Sequence, residues 1–105
     1  MFILRKTISK IDMGKGVLRQ DYALGQNLNV LHWNIADGGE VKLHQHPQEQ
    51  FGYVISGGFK MNIGKETKTI SAGDGYVIPP NVPHSFVAVG ETEAIDVFSP
   101  IRNIT

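Results

Sequence analysis

Phe51-Gly52-Tyr53-Val54-Ile55-Ser56, Gly57-Gly58, Phe59-Lys60-Met61-Asn62-Ile63, Gly64-Lys65: this stretch decides the fold class. Each apolar run is short, rich in Val, Ile, Phe and Tyr, and closed by residues that favour turns, the pattern of strands joined by tight connections. The rhythm continues on both sides. Residues 41–46 precede it, and 67–71, 76–79, 85–89 and 94–99 follow, punctuated by Gly38-Gly39, Gly73-Asp74-Gly75 and Gly90-Glu91. Upstream, residues 26–37 alternate through Leu28 and Val30, then Leu31, Trp33 and Ile35, which predicts one strand with an irregularity. Strands arriving roughly every 8–12 residues predict an all-β sandwich or barrel. Residues 1–24 read least clearly, and 2–8 are expected to form an edge strand that pairs with another subunit.

The bulk properties narrow the function. A chain of 105 residues is expected to form one domain over 1–105, with 1–24 as an N-terminal segment and 25–105 as the barrel. Ten Lys+Arg balance ten Asp+Glu, so the basic field used by nucleic-acid and acidic-membrane binders is missing. The chain has no cysteine, which excludes a disulfide scaffold, a thiolate metal site and a Cys nucleophile. No apolar run approaches a membrane span or a signal-peptide core, so a cytoplasmic location is expected. The segments 85–89 and 94–98 are apolar on both faces. Their outer face needs a cover, either the chain's own N-terminal segment or, as the favoured reading, the second copy of a homodimer.

Three of the four histidines sit in informative places. His44-Gln45-His46 ends an apolar alternating run, and residues i and i+2 of a strand share a face, so both imidazoles can reach one point. Gln50 follows across a turn at Pro47, and Pro79-Pro80-Asn81-Val82-Pro83 is a stiff loop that delivers His84. His44, His46, His84 and the amide oxygen of Gln50 together make a pocket for a divalent transition metal, with Zn, Ni, Mn and Fe all suited to it. Separate structural histidines are the competing reading. His32, beside Trp33, reads as a packed or surface histidine rather than a ligand.

The spacing Gly38-x5-His44-x-His46-x3-Gln50-x6-Gly57 resembles the first motif of the cupin superfamily, and Gly73-x5-Pro79-x-Asn81-x2-His84 resembles the second. The resemblance implies a double-stranded β-helix, or jelly-roll barrel, with those four side chains as metal ligands. Gln50 stands where many cupins carry Glu, and Asn81 where Gly is usual. A neutral amide offsets less of the ion's charge, which favours Lewis-acid chemistry over oxygen chemistry. Whether Glu49 or Gln50 faces the metal is open at this stage.

Asp96 and Phe98 share a face of the last strand, and Arg102 follows Ser99-Pro100. An unpaired Asp inside an apolar barrel is costly, so residue chemistry alone favours a structural pairing with Arg102 or a turn amide. The tail Asp96-Val97-Phe98-Ser99-Pro100-Ile101-Arg102 is similar to the ending of small pectin-degradation cupins that linearise unsaturated uronates, and Tyr53 and the Gly57-Gly58-Phe59 turn look like that subgroup. Asn103-Ile104-Thr105 departs from its usual ending. The resemblance implies that 4,5-unsaturated uronic acids are opened to 5-keto-4-deoxyuronate. Asp96 would move the proton, Arg102 would hold the substrate carboxylate and Phe98 would pack on the ring. An oxidative metallocupin and a small-ligand sensor are the alternatives.

Overall fold

The computed structural model describes residues 1–103, so Ile104 and Thr105 of the divergent ending lie outside the described residues. Among the described residues, ten strands follow a single 3-10 turn at Arg5–Thr7: β1 Ile11–Asp12, β2 Val17–Leu24, β3 Asn29–Ile35, β4 Glu40–His44, β5 Glu49–Ser56, β6 Gly58–Ile63, β7 Glu66–Ser71, β8 Gly75–Ile78, β9 His84–Ala88 and β10 Thr92–Ser99. They form two sheets. One runs β1-β2-β3-β10-β5-β8 and the other β4-β9-β6-β7, antiparallel throughout. This is the expected all-β jelly roll.

The period-2 pattern works as the sequence suggests. Along β10, Thr92, Ala94, Asp96 and Phe98 are buried while Glu93, Ile95 and Val97 are half-buried on the other face. Leu31, Trp33 and Ile35 of β3 and Val54 of β5 join Ala94 and Phe98 from one sheet. Phe59, Met61, Phe86 and Ala88 meet them from the other, with the rings of Phe59 and Phe86 packed edge to face at 4.9 Å. Truncating a fully buried ring such as Phe59 to alanine costs about 3–5 kcal/mol.

The structure differs from expectation at the N-terminal end. Residues 2–8 form no strand; Met1 to Leu4 are exposed and lead into the 3-10 turn. Instead β2, inside the segment that read least clearly, pairs along its length with β3. The sheet therefore begins well before residue 25. The expected irregularity lies in β2, where the register shifts between Asp21 and Ala23, and not in β3. Leu28 falls before the strand and is exposed. The outer face of β5 is bare: Phe51, Tyr53 and Ile55 are exposed, so the chain's own N-terminal segment does not cover them.

Candidate metal centre and adjoining cavity

His44 closes β4 and His84 opens β9, and the two pair directly across the sheet. A register shift between Val41 and His44 sets the angle at which β4 ends. His46 lies two residues past the strand, so the strand-face argument reaches only as far as His44. A different restraint holds His46. The amide of Asn81 donates to the His46 carbonyl at 2.8 Å. Asn81 sits at φ 63°, a left-handed conformation that Asn tolerates and that explains how it stands where Gly is usual. The proline-rich loop thus fixes two of the imidazoles at once, His84 by chain direction and His46 by this clamp.

All three imidazoles are oriented alike. Each Nδ1 lies against the backbone carbonyl two residues away: His44 on Lys42 and His84 on Val82, both at 2.8 Å, and His46 on Gln48 at 3.0 Å. With the proton on Nδ1, every Nε2 carries a free lone pair, the arrangement typical of metal-ligating histidine. The three ligand atoms lie within 4.8 Å of one another. His84 is 0% exposed, and its Nε2 has no hydrogen-bond partner, an orphaned buried acceptor. Burial lowers the pKa of His84 to about 4. At His46 burial lowers it first and the charge of Arg102 adds to that. Both rings are therefore neutral near pH 7.

Gln50, not Glu49, faces this point. Gln50 is buried and its Oε1 lies 3.0 Å from His46 Nε2, while Glu49 is exposed. A neutral imidazole has one N–H. With that proton directed at Gln48, Nε2 and Oε1 are two lone-pair atoms face to face, a contact relieved by a cation between them. Three imidazoles and one amide oxygen are a donor set that a borderline divalent ion accepts. The residues fit a metal.

A cavity of about 560 Å³ adjoins the centre, of the size small-molecule sites have. Asp96, Phe98 and Arg102 all line it with His44 and Gln50, so the tail residues share one space with one imidazole of the cluster and the amide beside it. Phe98 packs edge-on against the His46 ring at 5.5 Å, and the Arg102 guanidinium lies over Phe98 at 5.2 Å. Asn29 pins the tail: its Oδ1 accepts from the Arg102 amide at 2.9 Å and its Nδ2 donates to the Arg102 carbonyl at 3.2 Å.

Asp96 is 1% exposed and does not use Arg102 or a turn amide as its hydrogen-bond partner. Tyr76 Oη donates to its Oδ1 at 2.7 Å and Trp33 Nε1 to its Oδ2 at 2.9 Å. Burial raises its pKa; the Gln50 amide, Tyr76 and Trp33, and then the charge of Arg102, oppose that rise. Burial and the neighbouring Asp96 in turn raise Tyr76 well above the usual phenol range, so its hydroxyl stays a donor. Trp33, Tyr76, Asn29 and Arg19, which also lines the cavity, are the site residues that sequence reasoning missed. The signal for two of them was available: a buried Asp needs donors, and Trp and Tyr are the apolar side chains that carry one.

Two residues go elsewhere. His32 is buried on the opposite face of the six-stranded sheet, with Nε2 2.7 Å from Glu93 and its ring stacked on Tyr22 at 4.9 Å. Tyr53 also points to that outer face, away from the cavity.

No helix is long and apolar enough to cross a membrane among the described residues. The chain is 36% identical over 92 residues to H2HPP isomerase of Bacillus subtilis, covering 83% of this chain but only 38% of that longer protein. It is 30% identical over 93 residues to the pectin degradation protein KdgF of Dickeya dadantii (strain 3937), covering 87% of this chain and 84% of the relative. KdgF from Halomonas sp. superposes with a TM-score of 0.92 at 30% identity, covering 97% of this chain and 96% of that one. Residues 31–98 match the Cupin domain family. That span runs from β3 to β10 and carries all three imidazoles, so the chain belongs to the cupin family.

Proposed function

We propose that the protein opens the ring form of 4-deoxy-4,5-unsaturated uronates to 5-keto-4-deoxyuronate, as in the breakdown of pectin or alginate. The observation that carries this reading is the shared cavity: Asp96, Phe98 and Arg102 lie in one space with His44 and Gln50. The likeness to two KdgF proteins supports it. The reaction is a net isomerisation, the class that also names the Bacillus relative. The C1 hydroxyl loses its proton, C1=O forms as the bond from C1 to the ring oxygen breaks, and the enol left at C5 takes a proton at C4 to become the ketone. Atoms and electrons balance without an oxidant.

The residues divide this work. His44, His46, His84 and Gln50 would hold a divalent ion, which when bound would supply Lewis-acid polarisation of a substrate oxygen. Arg102 pairs its planar guanidinium with the uronate carboxylate. Phe98 presents an apolar face to the sugar ring and keeps water from the reacting bond. Asp96 takes the hydroxyl proton and delivers it to carbon, and its raised pKa brings it closer to the range in which a carboxyl both accepts and donates. The same reading places the working unit as a homodimer, the partner covering Phe51, Tyr53 and Ile55. The cysteine-free composition fits a reducing cytoplasm.

The test is direct. The protein is purified, its metal content is measured, and it is mixed with pectate-lyase products while the absorbance of the conjugated uronate is followed. Faster decay than in buffer is expected. No acceleration by metal-loaded protein overturns the reading.

A further inference from the structure

Gly52 is buried at the centre of a lateral row. Asp96 of β10 pairs with Gly52 of β5, and Gly52 pairs with Tyr76 of β8. The Tyr76 ring lies across the place where a side chain at Gly52 would stand: a Cβ there would overlap Cζ, Cε2 and Oη of the tyrosine. That vacancy lets the phenol of β8 reach past β5 to a carboxylate two strands away. The glycine is required for space, since its backbone is not in the left-handed region. From the other side of β10, Trp33 of β3 takes the second oxygen of the same carboxylate.

A carboxamide has two unlike ends, and only the oxygen can ligate a cation. Two residues from Gly52 on the same inner face, Gln50 pairs with Phe98 of β10 and so lies diagonally beside Asp96, with its Oε1 turned to His46. A carboxylate accepts and does not donate, so it draws the NH₂ end and leaves Oε1 facing His46. Left ungripped, Asp96 could rotate and the amide could turn over. With one oxygen held by Tyr76 and the other by Trp33, neither can. We propose that Gly52, Tyr76 and Trp33 form a positioning device that fixes the Asp96 carboxylate and, through it, which end of the Gln50 amide is presented to the metal. The inference rests on the metal-binding part of the function given above and not on the sugar reaction.

Cobalt(II) alone is the probe, because its visible absorption reports the identity and geometry of its ligands. Wild type, Gln50→Ala, Tyr76→Phe and Gly52→Ala are titrated with cobalt, and affinity and spectrum are recorded. Tyr76→Phe keeps the ring and removes one donor; Gly52→Ala pushes the ring aside. Both are expected to weaken binding by about 10- to 100-fold, the usual range for groups that orient a ligand, and to move the spectrum toward that of Gln50→Ala. Trp33→Phe is the second route should Gly52→Ala fail to fold. A merely structural role would lower the unfolding temperature and leave the spectrum of the folded protein as in wild type. Folded Tyr76→Phe with wild-type affinity and spectrum overturns the device, as does Gln50→Ala indistinguishable from wild type. Uronate turnover is scored separately on the wild type. Its absence sinks the reaction and leaves this inference standing; turnover beside an unmoved Tyr76→Phe spectrum does the reverse.

Discussion

The six-stranded sheet buries polar groups on both faces, and the two faces use them differently. On the outer face His32 is matched: its Nε2 lies on Glu93, and its ring stacks on Tyr22. Facing its inner side, on β9 of the four-stranded sheet, His84 is as deeply buried, yet its Nε2 meets nothing, while Nε2 of His46, in the loop after β4, faces the amide oxygen of Gln50. Burial alone therefore does not mark function. Lone pairs that converge without a hydrogen between them do, because such a cluster is unfavourable until a cation joins it. The alternation of β10 separates the two kinds: Glu93 belongs to the outer pair, and Asp96 to the inner hub.

The strongest way to break that contrast is to remove one histidine from the outer face and one from the core between the two sheets. His84→Ala is expected to lose the metal, with affinity falling more than about 100-fold, beyond the range of groups that merely orient ligands. His32→Ala is expected to keep it and to lose about 1–2 kcal/mol of stability, as one buried hydrogen bond to a charged group disappears. Metal analysis after dialysis and a thermal melt check both. Metal lost from His32→Ala would erase the distinction between the faces.

Next in size is Asp96→Ala. Loss of the proton-transfer group is expected to slow uronate opening by about 10²–10⁴-fold. Steady-state rates at saturating substrate, normalised to bound metal, measure it. A loss under about tenfold with metal retained contradicts the role given to Asp96.

How much of this was legible beforehand follows from what each signal depends on. The strands from residue 29 onward were legible because two periodic faces and glycine-rich turns are local properties. That His44, His46, Gln50 and His84 come together was legible from spacing. β2 was not: its run Arg19-Gln20-Asp21-Tyr22 puts polar residues on both faces, and only tertiary partners make that tolerable. Arg19 pairs with Asp21 at 2.7 Å, and Gln20 donates to the Ile8 carbonyl at 2.9 Å. Tyr76 and Trp33 were hidden for the same reason, since what they do depends on a carboxylate on a strand far along the chain. The Asp96 partner expected from sequence proximity, Arg102, instead lies over Phe98.

A smaller effect sharpens the inner side of the comparison. In metal-free protein His84 binds a proton only near pH 4, against 6.5 when unfolded. The folded state holds fewer protons below pH 6.5, so the stability is complete above that value and drains as pH falls towards 4, by at most about 3 kcal/mol. Chelator-treated protein melted across that window is expected to show the decline. Asp96, with its raised pKa, acts in the opposite sense, so the difference between wild type and His84→Gln isolates the imidazole. Equal slopes in the two proteins would show that His84 is not held neutral by burial.

The outer face carries the smallest effect on chemistry. Val77, Phe51, Val97 and Val30 form one row across four strands, and Tyr53 and Ile95 lie beside it. Phe51 is 45% and Val77 55% exposed, so this row is apolar surface with a polar alternative available at every position. A charge at Phe51 would leave the inner face untouched, because strand geometry points it away from the cavity. Phe51→Asp is therefore expected to change the mass in solution from twice 11.6 kDa to 11.6 kDa, with metal content unaltered and turnover within about twofold of wild type. Light scattering after size exclusion measures the first, and the uronate assay the second. An unchanged mass removes the homodimer through this face. A lost metal would mean that the two faces are coupled through β5, where Gln50 and Phe51 are neighbours, and the separation drawn between them would have to be given up.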